Sequence, residues 1–265
     1  MIKEINVKGV ITKSNLPDAD YVINPYIGCA HGCIYCYAEF MKRFTNHKEE
    51  WGCFVDVKMN ALKKLGNINK LRNKKILFSS VTDPYQSVEA KYELTRNILK
   101  KLICVQPEIG ILTKSQLVTR DIDVFKKFEK IEVGISISTL KYYKQLEPLA
   151  SQPEHRIKAL KKISQAGIRT YVFISPILPS ITDYKRIMKK TKFADYFMFE
   201  NINVQPNNKN KILEFVKKTK PDALKYYEKE YDWKKLEKEI TENYNNAKTY
   251  FHHDSFKKRQ AQSIE

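Results

Sequence analysis

The sequence predicts an α/β fold: a parallel sheet with helices packed on it, followed by a helical C-terminal extension. Three observations carry this expectation. Short runs of β-branched and aromatic residues recur between about Asp20 and Val204. Apolar residues at helical spacing fill intervals between those runs. From about Gln205 onward the texture changes to Lys, Glu and Tyr, with exposed amphipathic segments and few strand candidates.

In chain order the strand candidates are YVINPYIG, KKILFSSVTD, IGILTKS, IEVGISIST, RTYVFISPILP and DYFMFENINV. Each has a core suited to a pleated, half-buried surface and is followed by polar or turn residues. Between the second and third, VEAKYELTRNILKKL puts Tyr92, Leu94, Ile98, Leu99 and Leu102 largely on one side of a helix. Between the fourth and fifth, PEHRIKALKKISQAGI repeats Ile157, Leu160 and Ile163 at helical spacing and ends at Gly167, a natural stop. Strands alternating with helices argue for parallel pairing. Six strands make either a partial barrel or an open sheet, and periodicity does not choose between them. Function belongs at the carboxyl ends of the strands, where the loops gather. The organisation predicted is an N-terminal extension over 1–19, the sheet domain over 20–204, and a basic, aromatic-rich helical segment over 205–265. NNKNK reads as a polar linker, WKKLEKEITENY as exposed amphipathic helix, and KKRQAQSIE as a disordered end.

Composition narrows the class. A hydrophobic fraction of 42% in 265 residues suits a globular protein, and no apolar run reaches the roughly 20 residues that span a bilayer. The opening MIKEINVKGVITKS carries charge where a signal peptide needs an apolar stretch, so a cytoplasmic location without membrane contact is expected. Cytosolic thiols stay reduced, which argues against reading five cysteines as a disulfide scaffold. The net charge of +18 attracts polyanions such as nucleic acid. A Lys-rich compositional bias is the competing explanation, although the acids do not rise with the lysines.

Three cysteines are crowded into Cys29-Ala-His-Gly-Cys33-Ile-Tyr-Cys36, a C-x3-C-x2-C spacing directly after the first strand. Three thiolates bind three corners of a four-iron cubane, which usually takes four cysteines. The missing fourth ligand leaves one iron open to a small molecule. Gly28 and Gly32 suit a tight loop around a cluster. A zinc site of three cysteines with His31 or His47 is the alternative.

The stretch NPYIGCAHGCIYCYAEF resembles radical S-adenosylmethionine (radical SAM) enzymes of the spore photoproduct lyase-like, DNA repair photolyase-like group. So do SSVTDPYQSVEAKYELTR, ILTKS, GISIST, and LEPLASQPEHRIKALKKISQAGI followed by SPILPSITD, in order from Asn24 to Asp183. The resemblance implies a partial (β/α)6 barrel of the TIM type, with a [4Fe-4S] cluster on Cys29, Cys33 and Cys36. It implies S-adenosyl-L-methionine chelated at the open iron and cleaved by one electron to methionine and a 5′-deoxyadenosyl radical. It also implies an electron donor such as flavodoxin or ferredoxin.

Residue by residue, the resemblance makes Tyr35 the aromatic that packs on the adenine. Tyr37 becomes a candidate catalytic residue in a C-x-Y-C-Y pattern whose tyrosines relay a hydrogen atom. Thr82 and Asp83 end strand two, where relatives bind the amino group of the cofactor; Asp83 before Pro84 also reads as a helix-opening turn. Lys114 and Ser115 end strand three, and Ser136 and Ser138 share one face of strand four. Lys114 suits the methionine carboxylate, the serines that carboxylate or the ribose, and Arg156 the carboxylate again. Packing, strand-end polarity and a solvated helix arginine are the ordinary readings of these residues. Glu147 lies in a segment resembling an EPRAPS-type motif, but Leu149 stands where the group has arginine. Ser79-Ser80-Val81-Thr82 also lacks the additional cysteine that spore photoproduct lyase uses as hydrogen donor, and Cys53 and Cys104 lie elsewhere. Repair of the thymine photoproduct itself is therefore not expected.

Three functions compete. One is a radical enzyme acting on a nucleic-acid component in repair or modification. Another keeps the radical chemistry but takes a peptide or small metabolite. The third is a non-enzymatic cluster- or zinc-bearing module that binds nucleic acid. In the C-terminal segment, Tyr226, Tyr227, Tyr231, Trp233 and Tyr244 suit packing on the sheet domain or base stacking. His252, His253 and Asp254 read as a polar tail or a weak metal site.

Overall fold

The computed structural model describes residues 1–16, 18–228 and 231–252. Its main sheet joins β2 (Ile11–Lys13), β3 (Tyr21–Ile23), β6 (Lys75–Phe78), β7 (Glu108–Thr113), β8 (Ile131–Ser136), β9 (Arg169–Ile177), β10 (Tyr196–Asn201) and β11 (Ala247–Thr249) in that spatial order. All pairs are parallel except β2 with β3. From β3 to β10 each strand lies beside the next one along the wound chain, so all six carboxyl ends open on one side of the sheet. This is the α/β, mostly parallel arrangement the alternation predicted.

A second sheet orders β1 (Ile2–Ile5), β5 (Val55–Lys58) and β4 (Tyr26–Ile27). The predicted first strand, YVINPYIG, is split between the two sheets. Pro25 has no N–H to give a ladder. Asn24 instead accepts from Ser80 N through Oδ1 (3.1 Å) and from Lys58 Nζ through its carbonyl (2.8 Å). That change of sheet aims Gly28 and Cys29 across the ends of the main strands. Ahead of residue 20, β1 pairs with β5 in the second sheet and β2 with β3 at the edge of the main one.

The helices are α1 (Glu89–Tyr92), α2 (Leu94–Leu102), α3 (Ile122–Phe125), α4 (Tyr143–Leu146), α5 (Pro153–Gln165), α6 (Tyr184–Lys190), α7 (Pro206–Thr219), α8 (Lys225–Glu228) and α9 (Trp233–Asn243). The helix read over VEAKYELTRNILKKL is two, because Glu93 turns left-handed (φ 48°). The Glu89 carboxylate makes the break stable by accepting from Thr95 N (3.0 Å) and Arg96 N (3.2 Å), two orphan donors of α2. Alternate strand residues Ile76, Phe78, Ile109, Ile111, Val133, Ile135, Val172 and Ile174 pack with Ile98, Leu99, Leu102, Leu160 and Ile163 of the helices in one core. On the opposite face, Tyr171 occupies the space that a side chain at Gly134 would need: a Cβ there would lie 2.1 Å from the ring.

The C-terminal segment is bound to this body. Ile212, Phe215 and Val216 of α7 share a buried cluster with Tyr35, Leu146, Leu178 and Ile202. Leu236 and Ile240 of α9 join the main core, and β11 extends the sheet. Its aromatics pack: Tyr227 is buried and donates to Pro179 O (3.1 Å), while Tyr231 meets Tyr226 edge-on at 5.5 Å and Trp233 at a tilt at 4.6 Å. His253, Asp254 and KKRQAQSIE lie outside the described residues. No described helix is long and apolar enough to cross a membrane.

Candidate cofactor site at the strand ends

The loop from Gly28 to Cys36 lies over the carboxyl end of β6. Gly28 and Gly32 take positive φ (82° and 60°), which glycine adopts at no steric cost. Gly28 and Gly52 also sit where no side chain fits. A Cβ on Gly28 would lie 2.5 Å from Phe54 O, and one on Gly52 2.7 Å from the Gly32 Cα. Residues just past β6 hold the loop backbone: Thr82 Oγ1 donates to Gly28 O (2.5 Å), and Gln86 accepts from Ala30 N (2.7 Å) while donating to Thr82 Oγ1 (2.9 Å). The sequence reading passed over Gln86, since a glutamine near a helix start carries no distinguishing pattern.

All three cysteines are free; Cys29 is buried, Cys33 and Cys36 partly so. Burial pushes their thiols up, Cys33 to about 12, and for Cys29 the neighbouring Asp83, Cys33 and Cys36 add to it. A single zinc needs its ligands around one point, and among the described residues no three His, Cys, Asp or Glu side chains are so arranged. A cubane instead takes each thiolate on a different iron. His47 is engaged elsewhere, between Asp56 (2.8 Å) and Glu49 (3.0 Å) and stacked on Phe54. The donor set, three free thiols on one glycine-hinged loop, fits a cubane with an open iron.

Asp83 is a junction. Its carboxylate accepts from Thr113 Oγ1 (2.6 Å), Lys114 N (2.8 Å) and Tyr85 N (2.8 Å), and lies 3.2 Å from His31 Nε2. The bond to Tyr85 N closes a turn at Pro84, but it opens no helix: α1 begins only at Glu89, with Val88 as its N-cap. Ser115 caps the following turn by accepting from Leu117 N (3.2 Å). Lys114 Nζ donates to Ser136 Oγ (2.7 Å) and lies 5.7 Å from the Tyr35 ring centroid.

Behind these, a buried polar network replaces the solvated arginine of the ordinary reading. Arg156 is fully buried; it donates to Ser136 O (2.8 Å) and Ser151 O (2.5 Å) and pairs with Glu147. The other Glu147 oxygen accepts from the Tyr35 hydroxyl and lies 3.2 Å from Ser138 Oγ. Ser136 and Ser138 both donate to Ser175 O (3.2 and 2.6 Å), as two residues on one strand face should. Burial raises the Glu147 carboxyl, but the charges of Arg156 and Lys114 outweigh it and hold the group below the ordinary carboxylate range. Arg156 therefore meets Glu147 here, and through Glu147 it fixes Tyr35.

Tyr37 is 42% exposed and donates to Ser80 O. At the end of β10, Glu200 accepts from Ser175 Oγ (2.6 Å) and lies 3.2 Å from His252 Nε2. The Asn201 amide bonds the His252 backbone on both sides, N–H (2.8 Å) and C=O (3.3 Å). This pair was not foreseen, because His252 reads as tail until the chain is seen to return to the sheet.

The radical SAM superfamily model matches residues 23–190. An uncharacterized protein of Methanocaldococcus jannaschii is 44% identical over 213 residues, covering 79% of this chain and 81% of its own. An uncharacterized protein of Acidianus two-tailed virus is 31% identical over 172 residues, 60% of this chain and 56% of that one. Among solved structures, spore photoproduct lyase complexed with dinucleoside spore photoproduct superposes with TM-score 0.69 at 17% identity, over 95% of this chain and 82% of that one. SuiB of Streptococcus suis, bound to S-adenosylmethionine, gives 0.52 at 16% identity, over 89% and 52%. At these identities the superpositions speak for the fold.

Proposed function

This chain belongs to the radical SAM superfamily and is an enzyme of that chemistry; from that premise we propose that its substrate is a nucleic-acid component, modified or repaired after hydrogen abstraction. The observation that carries the choice of substrate is the +18 net charge, which attracts polyanions to a chain that shares its fold with a lyase solved in complex with a dinucleoside photoproduct. The sequential strand order supports reading the main sheet as a partial barrel open at both edges. Cys29, Cys33 and Cys36 hold the [4Fe-4S] cluster.

Cluster and S-adenosylmethionine together supply a 5′-deoxyadenosyl radical from one donated electron. The chain's own residues bind and orient. Lys114, with Ser136 beside its ammonium, offers the cation for the methionine carboxylate. Asp83 and Thr82 hold the ends of β6 and β7 against the cysteine loop and border the amino group. Tyr35, fixed by Glu147 and Ser138 and through Glu147 by Arg156, presents a rigid ring for the adenine, and Ser115 caps the turn that follows Lys114. Tyr37, reaching toward Ser80 at the exposed rim, is the candidate for hydrogen relay. The electron donor is of the flavodoxin or ferredoxin kind.

The reading is tested with deuterated nucleic acid and reduced, cluster-loaded enzyme. Deuterium in 5′-deoxyadenosine, with binding that weakens linearly in log salt, supports it. The match to SuiB, solved also with its precursor peptide, favours a peptide substrate as the second reading. Deuterium arriving only from a labelled peptide would establish that one instead.

A further inference from the structure

Trp51 lies in the turn that precedes β5, remote from the strand ends in sequence but not in space. The turn is clamped to the cysteine loop: its next residue, Gly52, takes φ 100°, with room for no Cβ against Gly32. The indole is 7% exposed and meets Phe54 edge-on at 5.8 Å. It belongs to a small cluster with Cys29, Ala38 and Phe54, against which Cys36, Met41 and Val81 pack. Its Nε1 is buried and has no hydrogen-bond partner among the described residues. A buried N–H left unpaired costs about 1–3 kcal/mol, and such groups call for an explanation. The Cys36 side chain packs against this same cluster, so a sulfur that the cluster would load with negative charge adjoins the indole's pocket.

We propose that Trp51 is a positioning residue that gives its indole N–H to the Cys36 thiolate of the bound cluster and thereby sets the cluster's reduction potential. The proposal rests on Cys36 being a cluster ligand and is independent of the substrate. On reduction the cluster takes one electron from an external one-electron donor, and the added negative charge spreads over iron and sulfur. A donor at sulfur favours that reduced form more than the oxidised one, so the N–H raises the potential. The same contact gives the orphaned Nε1 its acceptor. Trp51 thus eases reduction by the physiological donor without touching S-adenosylmethionine.

The test is an EPR-monitored redox titration with dithionite of cluster-loaded wild type, Trp51→Phe and Phe54→Leu. Trp51→Phe keeps the aromatic bulk and removes the donor. It should make one-electron reduction about tenfold less favourable, a shift of about 59 mV to more negative potential. Phe54→Leu disturbs the same packing and keeps the N–H; it should leave the potential at the wild-type value. An unchanged potential in Trp51→Phe, or an equal fall in both variants, overturns the proposal. Should Trp51→Phe not hold a cluster, pulsed EPR of the reduced wild type carrying 15N-indole tryptophan decides. A 15N coupling to the cluster is expected; its absence overturns the proposal, since the other tryptophan, Trp233, lies in α9 and packs against Tyr231 and Phe251.

Discussion

At Glu147 burial and charge pull in opposite directions, and Arg156 decides the outcome. Arg156→Met leaves a buried carboxylate without its guanidinium and should cost about 3–5 kcal/mol in denaturant unfolding. Adding Glu147→Leu to it should recover much of that loss, since a buried pair is worth little against packed apolar groups. Lys58 offers a separate test by pH. Burial lowers its ammonium to about 8, below the ordinary lysine value. The unfolded chain then binds more protons between those two values, so stability from this group rises with pH across that window and is lowest below 8. Lys58→Met should therefore be the more stable protein at pH 7, by about 1–2 kcal/mol after its lost bond to Asn24 O, and the advantage should vanish by about pH 11. At this scale the sequence was informative about which residues meet, less so about how. Cys29, Cys33, Cys36, Asp83, Lys114, Ser136 and Arg156 do gather at the strand ends. That Arg156 faces Glu147 depends on how α4 and α5 meet, and that Gln86 and Trp51 border the cysteine loop depends on contacts between segments distant in sequence, which local pattern does not carry.

Among the elements, the strands between β3 and β10 were legible because β-branched runs alternate with helical spacing. The short ones were not: β4 and β5 span two and four residues, and their pairing follows from Pro25 turning the chain out of the main sheet. The break between α1 and α2 was hidden because Glu89 caps from a distance. Two glycines test how tightly the elements fit. Gly134→Ala sets a methyl into the Tyr171 ring and should destabilise by at least about 1–3 kcal/mol, measured by thermal or denaturant unfolding. Gly52→Ala forces the Trp51 turn off the cysteine loop. The variant should load less iron per chain on anaerobic reconstitution, even where far-UV circular dichroism remains native.

For the whole molecule, the cysteine loop, the strand ends and the C-terminal helices form one body. Asn208 of α7 donates to the Tyr35 carbonyl (3.0 Å), and Lys211 pairs with Glu39 just past the third cysteine (3.2 Å). The segment that looked like an appendage in composition therefore braces the site, which its lysine-rich surface concealed. Length, charge and cysteine spacing set the class; the surface that chooses the substrate is not written in any motif. The central claim is that three thiols on this loop hold a cluster that turns S-adenosylmethionine into a radical source. It is tested most directly by giving anaerobically reconstituted protein dithionite and S-adenosylmethionine and measuring 5′-deoxyadenosine by chromatography. The account predicts steady production in wild type and none in Cys33→Ala. No product from wild type with a spectroscopically confirmed reduced cluster would contradict it.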